Sequence, residues 1–497
     1  MKRLMPFLML WMAVLMTMAA EAIPDRPEKL QFPPLQYEPP KAADYRVVLK
    51  GGTVAYLAPD RSLPLVNIVV LMRVGSYLEP AGKEGLAELT GYLLARGGAG
   101  QRSAEELEER LAFLAAQLNS GVGAVQGSVS LNLLSKDLEE GLGLLRDVLT
   151  QPRFQEDKLA LRKQQLLQSM KERNDESASI ESYQSGYLSY GEDFFLNRHT
   201  TVASLEAIRR EDLQAFHRRW MHPTNFILAV SGDFDRAEMI QKLERLLASW
   251  PFAGEKAPQP PSEYRLAEPG IYITEKDVNQ GRVQIILPGV RRGDPDLIAS
   301  QVMNHILGGG GFTSRIMNRV RSDEGLAYSA GTRLSPGVYY RGLFQAGFQT
   351  KSRTVAYATS IVLEEMRRIT REKVSEQELE TAKRAFIDTF PRQFATKAQV
   401  VAALADEEMT GRYFTDPDWF EKFRERVAAV TAEDVQRVAE RLLRPERAVI
   451  LVVGHKPDIL LGHPQHAVSL KDLSKGPMVD LPLRDPLTMK PLPLAAK

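Results

Sequence analysis

Two stretches of this 497-residue chain repeat one another at a fixed distance. Glu211-Asp212 opens a helical stretch, Pro223 follows, and the apolar run Ile227–Val230 leads to Gly232. Glu433-Asp434, Pro445, the run Ile450–Val453 and Gly454 repeat that order, with Glu, Asp, Pro and Gly all recurring at 222 residues. A period this long signals duplication of a domain, since solenoid repeats are far shorter. The chain is thereby confined to architectures that one unit of about 200 residues can build twice.

Within each unit helices and strands are mixed. Ser103-x-x-Glu106 and Ser375-x-x-Glu378 are capping boxes that open helices. Leu107, Leu111, Leu114 and Leu118 are spaced to share one face of the first. Val125, Gly127, Val129, Leu131 and Leu133 alternate with polar or small residues, as in a half-buried strand. Tyr45–Leu49 and Thr53–Leu57 flank Gly51-Gly52 as a hairpin would. Strands, then a run of helices, then a strand imply an α+β fold of two homologous domains. Each is expected to be a mainly antiparallel sheet with helices packed on one face.

Proline clusters set the boundaries. Residues 45–250 form the first domain, 251–264 a linker, 265–470 the second domain and 471–497 a Pro-rich tail. Residues 23–44 read as an extended Pro-rich arm. Residues 1–22 have the layout of a signal peptide: Lys2 and Arg3, the apolar stretch Met5 to Met18, and Ala20-x-Ala22 for cleavage. No later stretch is long enough to cross a bilayer. The expectation is an exported protein, most simply periplasmic, with no membrane span after cleavage.

Composition narrows the chemistry. Lys+Arg 64 against Asp+Glu 63 leaves no basic excess for nucleic acid. With no cysteine, thiol catalysis, iron–sulfur clusters and cysteine-bound zinc are excluded. A metal would need His and carboxylates, and there are 7 His. His217 and His222 are five apart and do not share a helix face. His463 and His466 read as solvated loop residues. No G-x-S-x-G elbow, P-loop, H-E-x-x-H or H-x-x-E-H occurs.

Two segments resemble a known family. They are residues 75–97, GSYLEPAGKEGLAELTGYLLARG, and 307–329, LGGGGFTSRIMNRVRSDEGLAYS. Together they look like the pitrilysin/insulinase zinc peptidases, in the half-length, processing-peptidase-like branch. The resemblance runs from about Tyr45 to Asp458. It implies two homologous α+β domains and, in active members, a helix bearing H-x-x-E-H. There two His bind zinc, the Glu activates a metal-bound water, and a distant Glu completes the site.

This chain departs from that pattern. Glu88 falls at the first His, Gly91 at the catalytic Glu, Tyr92 at the second His and Gln168 near the distant Glu. Glycine cannot take a proton, and zinc without its imidazoles would be held weakly, so no metal is expected in this chain. The second segment keeps Arg321 and Tyr328 at the positions of the family's Arg/Tyr pair, which the resemblance implies donates hydrogen bonds to substrate carbonyls across from the zinc. Read as residues alone, Arg321 could pair with Asp323 or Glu324, and Tyr328 could be a core aromatic. Gly309 and Gly310 lie where a processing-peptidase subunit carries a longer substrate-touching glycine loop, which implies backbone contact with peptide. As local sequence, Gly308–Gly311 read as a helix C-cap and tight turn.

The resemblance thus implies a non-catalytic, substrate-binding subunit of an exported heteromeric zinc peptidase. A homologous H-x-x-E-H partner would hold the zinc, and unfolded peptides would be the substrates. The alternative is a catalytically inert scaffold of the same fold.

Overall fold

The computed structural model describes residues 25–26, 29–30, 37–248, 250–251 and 253–494; the segment 1–22, read above as a signal peptide, lies outside them. Residues 1–38 form one unit, in which Lys29 pairs with Asp25 at 2.6 Å, and residues 39–497 form the other. All that follows concerns the second.

It contains two six-stranded sheets. The first uses β1 (Arg46–Val48), β2 (Val54–Pro59), β3 (Leu65–Met72), β4 (Gln117–Val122), β5 (Gly127–Leu134) and β6 (Phe226–Gly232), in the order β1-β2-β6-β3-β5-β4. The second uses β7 (Gly270–Glu275), β8 (Gln280–Pro288), β9 (Ala330–Ser335), β10 (Leu343–Lys351), β11 (Val449–Gly454) and β12 (Met478–Asp480), in the order β12-β7-β11-β8-β10-β9. The five strands β2 to β6 and the five strands β7 to β11 have one topology. In each set the first and last strands pair in parallel, and the other pairings are antiparallel. The recurring apolar runs are β6 and β11, so the duplication lies in the fold as well as in the sequence.

The local readings mostly hold. β1 and β2 pair antiparallel around the Gly51-Gly52 turn. Both capping boxes form, opening the helices Ala104–Phe113 and Glu376–Thr389. Leu118 does not belong to the first of these helices. That helix stops at Phe113, Ala115 takes a left-handed φ of 48°, and Leu118 lies in β4.

The helices of each half cover one face of its own sheet, as expected. Ile271, Ile273, Val283, Ile285, Ile450 and Val452 share one core with them. The opposite face is covered by a helix from the other half. Ser177–Tyr190, of the first half, lays Ile180, Tyr183 and Leu188 on Ile286, Val449, Leu451 and Val453 of the second sheet. Lys397–Met409, of the second half, packs on β2 and β6 of the first. Burial on both faces explains why β6 and β11 are unbroken apolar runs.

The exchange carries buried polar contacts. Glu408 accepts both Arg46 Nε and Arg46 Nη2 at 2.8 Å and the Tyr56 hydroxyl at 2.6 Å. This fork satisfies a carboxylate that burial would otherwise penalise. On the reciprocal helix, Glu181 faces Arg282 at 3.5 Å, and burial pushes its carboxyl up to about 7 against the pull of that cation. The sign follows. Between about pH 4.5 and 7 the folded chain holds a proton there that the unfolded chain has released, so this group's contribution to stability falls as pH rises through that window. Glu181→Gln should therefore reduce the loss of stability between pH 5 and 7.5, by on the order of 1 kcal/mol or more. Denaturant midpoints of both proteins at the two pH values measure it; equal slopes would refute it.

The C-terminal stretch is not a loose tail. After β12 joins the edge of the second sheet, the chain crosses to the first half. There the carbonyls of Pro482, Arg484 and Pro486 accept hydrogen bonds from Gln184, Asn174 and Arg173 at 2.7, 2.8 and 2.9 Å. The prolines that suggested a tail suit a strap, because extended backbone offers its carbonyls sideways to a neighbour.

Candidate functional site

The helix Leu86–Arg96 occupies the place of the metal helix. It starts after Gly85, whose φ of 102° few other residues would adopt. Its first turn is capped by Glu79, which accepts the backbone N–H of Gly85 at 3.1 Å and of Ala87 at 2.7 Å. Burial pushes that carboxyl up to about 7, while the two N–H donors oppose the shift.

The chemistry along the helix belongs to an arginine. Arg162, on the helix Glu156–Lys171, donates to Glu88 at 2.6 Å and lies 4.1 Å from the centroid of the Tyr92 ring. Arg96 lies over the same ring at 4.8 Å. Gln168, expected to stand for the distant Glu, is exposed and donates to Glu172 at 2.8 Å. Arg162, six residues earlier, is the residue that faces Glu88 and Tyr92. Nothing in the sequence marked it, because one arginine in a highly charged helix looks like surface.

At Gly91 the helix meets the edge strand. A Cβ there would stand 2.8 Å from the Gly121 carbonyl carbon and closer still to the Val122 amide nitrogen. The Ser120 hydroxyl donates to the Gly91 carbonyl at 2.6 Å and accepts the Ala95 amide at 3.0 Å. It thus bridges two groups that a regular helix joins directly. The second half repeats the arrangement: a Cβ on Gly308 would stand 2.6 Å from the Thr332 amide of β9. At this point the first half packs helix on strand as its homologous half does.

These residues do not fit a zinc site. A carboxylate and a phenol flank a fixed guanidinium, and the position of the general base has no room for a side chain. Among the described residues no group of three or more His, Asp or Glu could hold a metal. His217 is buried with Nε2 at 2.9 Å from the Leu149 carbonyl, and burial lowers its pKa to about 4. His222 Nε2 lies 2.7 Å from the Glu255 carbonyl. His466 stacks on Tyr357 at 3.8 Å, with His463 beside it.

Arg321 and Tyr328 are brought together. The helix Leu297–Asn304 runs into a widened turn at His305–Gly309. A short turn at Gly311–Thr313 and a helical turn at Arg315–Met317 follow, then a second widened turn, Asn318–Asp323, which carries Arg321. Such turns, in which the bond reaches five residues, are frequent at functional sites. Arg315 anchors the segment through a bidentate pair with Glu378, at 2.6 and 3.0 Å. Burial works against the Glu378 charge, but Arg315 and the donors of Ser375 outweigh it and hold the carboxyl at about 2.

The Arg321 guanidinium lies 4.6 Å from the Tyr328 ring centroid and 4.6 Å from that of Phe312. Among the described residues no carboxylate comes within ion-pair distance of it, Asp323 and Glu324 included. Tyr328 is 84% exposed, so it is not a core aromatic. It lies in the connection after Gly325, just ahead of β9 rather than on it. Gly309 and Gly310 close the first widened turn, beside Asn304 and His305.

Two family models match the chain. One, described as insulinase (peptidase family M16), covers residues 56–185; the other, described as the peptidase M16 inactive domain, covers residues 207–386. A Rickettsia bellii protein named as an uncharacterized zinc protease is 25% identical over 400 residues, 79% of this chain and 94% of that one. The non-peptidase homologue YmxG of Helicobacter pylori is 25% identical over 339 residues, 66% of this chain and 76% of its own. Among solved structures, a peptidase M16 inactive domain from Pseudomonas fluorescens superposes with a TM-score of 0.73 at 24% identity, over 82% of this chain and 97% of that one. The periplasmic protease PqqL of Escherichia coli gives a TM-score of 0.71 at 16% identity, over 88% of this chain and 49% of its own. With both halves matched by models of one family and the metal helix occupied by Glu88, Gly91 and Tyr92, the chain belongs to the insulinase (M16) peptidase family as a member without the H-x-x-E-H motif.

Proposed function

We propose that this chain is the non-catalytic, substrate-binding subunit of an exported heteromeric zinc peptidase. A homologous H-x-x-E-H subunit holds the zinc, and Arg321 and Tyr328 of this chain reach the same substrate in trans. One observation carries the reading. Arg321, with no carboxylate partner, is held beside an exposed Tyr328 in a chain whose own metal helix is closed. The edge donors of that guanidinium and the neighbouring phenol are the groups that a peptide carbonyl in a developing transition state would use.

Further features support it. The chain spans about half the length of PqqL, so two such chains make up the longer architecture. β4 and β9 each end their sheet, leaving an edge on which an unfolded peptide can add as a strand, with Gly309 and Gly310 close by. No helix among the described residues is long and apolar enough to cross a membrane. A periplasmic location accords with the leader-like start and with PqqL.

The experiment is reconstitution. The chain is co-expressed with an H-x-x-E-H homologue from the same genome, and hydrolysis of fluorescein-labelled casein is followed for each chain alone and for the pair. The expected result is a complex with one zinc, a chelator-sensitive activity that needs both chains, and no stoichiometric zinc on this one. Full activity of the homologue alone would overturn the reading and leave the scaffold; a tightly held zinc on this chain would overturn the reading and the scaffold together.

A further inference from the structure

Arg321 has a second aromatic neighbour besides Tyr328, Phe312. Phe312 is 64% exposed, and its ring centroid lies 4.6 Å from the Arg321 guanidinium. Gly311, with φ of 60°, sets the short turn Gly311–Thr313 that brings the ring over the guanidinium. We propose that Phe312 and Tyr328 clamp Arg321 by its two aromatic contacts, making Phe312 a positioning residue for peptide recognition; this rests on the function proposed above.

The chemistry favours rings over carboxylates for this task. A free arginine side chain carries about 2 kcal/mol of rotamer entropy, which must be lost when it binds. A carboxylate would restrain it but would occupy the N–H groups along its edge. An aromatic ring attracts the cation through its π face and leaves the edge donors free. Arg315 shows the contrast: there Nε and Nη2 are taken up by Glu378, and the side chain anchors the segment. At Arg321 the donors remain available to a substrate carbonyl or a peptide carboxylate.

The test has two readouts. In the full chain with ¹⁵N-labelled arginine, the Arg321 Nε–Hε resonance is assigned by its loss in Arg321→Lys. Phe312→Leu should move it by removing a ring current, and Phe312→Tyr should leave it nearly in place. A resonance unmoved by Phe312→Leu overturns the clamp. In the reconstituted complex, Phe312→Leu should lower kcat/KM for labelled casein roughly two- to fivefold, the scale of an exposed cation–π contact. Phe312→Tyr should restore it, and Phe312→Leu should add nothing in an Arg321→Ala background. If Arg321→Ala impairs turnover while Phe312→Leu does not, the positioning role fails and the function in trans stands. If neither variant impairs turnover, the function in trans fails and takes the positioning role with it.

Discussion

Gly91→Ala should destabilise the chain by about 3 kcal/mol, the upper end of what overpacking usually costs. The methyl group would press on the backbone of β4 at Gly121 and Val122, and backbone cannot rotate away as a side chain can. Retreat of the helix would also break the Ser120 bridge to Gly91 and Ala95. Gly91→Glu should do worse, since it drives a longer and charged side chain into the same backbone contacts. Restoring the motif through Glu88→His, Gly91→Glu and Tyr92→His should therefore not restore a metal site, the more so because Arg162 holds its positive charge against the first and third of these positions. Thermal melts of the single variants and metal analysis of the triple variant check this. A folded triple variant holding one zinc would show that the site was merely unfurnished rather than closed.

Much of this was readable in residues. The 222-residue repeat marked two copies because β6 and β11 are the central strands of their halves, where burial on both faces leaves little freedom to diverge. The capping boxes report local physics and formed where expected, and the alternating strand did so from Gly127 onward, Val125 lying in the turn before β5. The exchange of Ser177–Tyr190 and Lys397–Met409 was not readable, since periodicity shows that a face will be buried but not which sheet buries it. Arg162 escaped for a related reason: its meaning lies in Glu88 and Tyr92, 70 or more residues away and on another helix. Phe312 lay inside a recognised segment, yet only the ring's position over Arg321 gives it a task.

Tyr328→Phe should depress casein turnover by the reconstituted complex by on the order of 100-fold, the usual cost of removing one donor aimed at developing charge. The substitution deletes a hydroxyl and keeps the ring, so the contact with Arg321 survives. Because Tyr328 is 84% exposed, its hydroxyl supports no core, and the melting temperature of the chain should hardly change. Zinc content should be unaltered, since the proposed function puts the metal in the partner. Arg321→Ala should impair turnover at least as much, since it removes the cation and releases both rings. The split between kinetic constants adds information. A donor that acts only on the transition state lowers kcat and kcat/KM together, whereas one that merely holds the ground state raises KM with kcat unchanged. A Tyr328→Phe complex with intact assembly and wild-type kcat would deny the hydroxyl any part in the chemistry. Arg321 would then be a binding group alone, and the chain a peptide receptor for its partner rather than a contributor to the partner's active site.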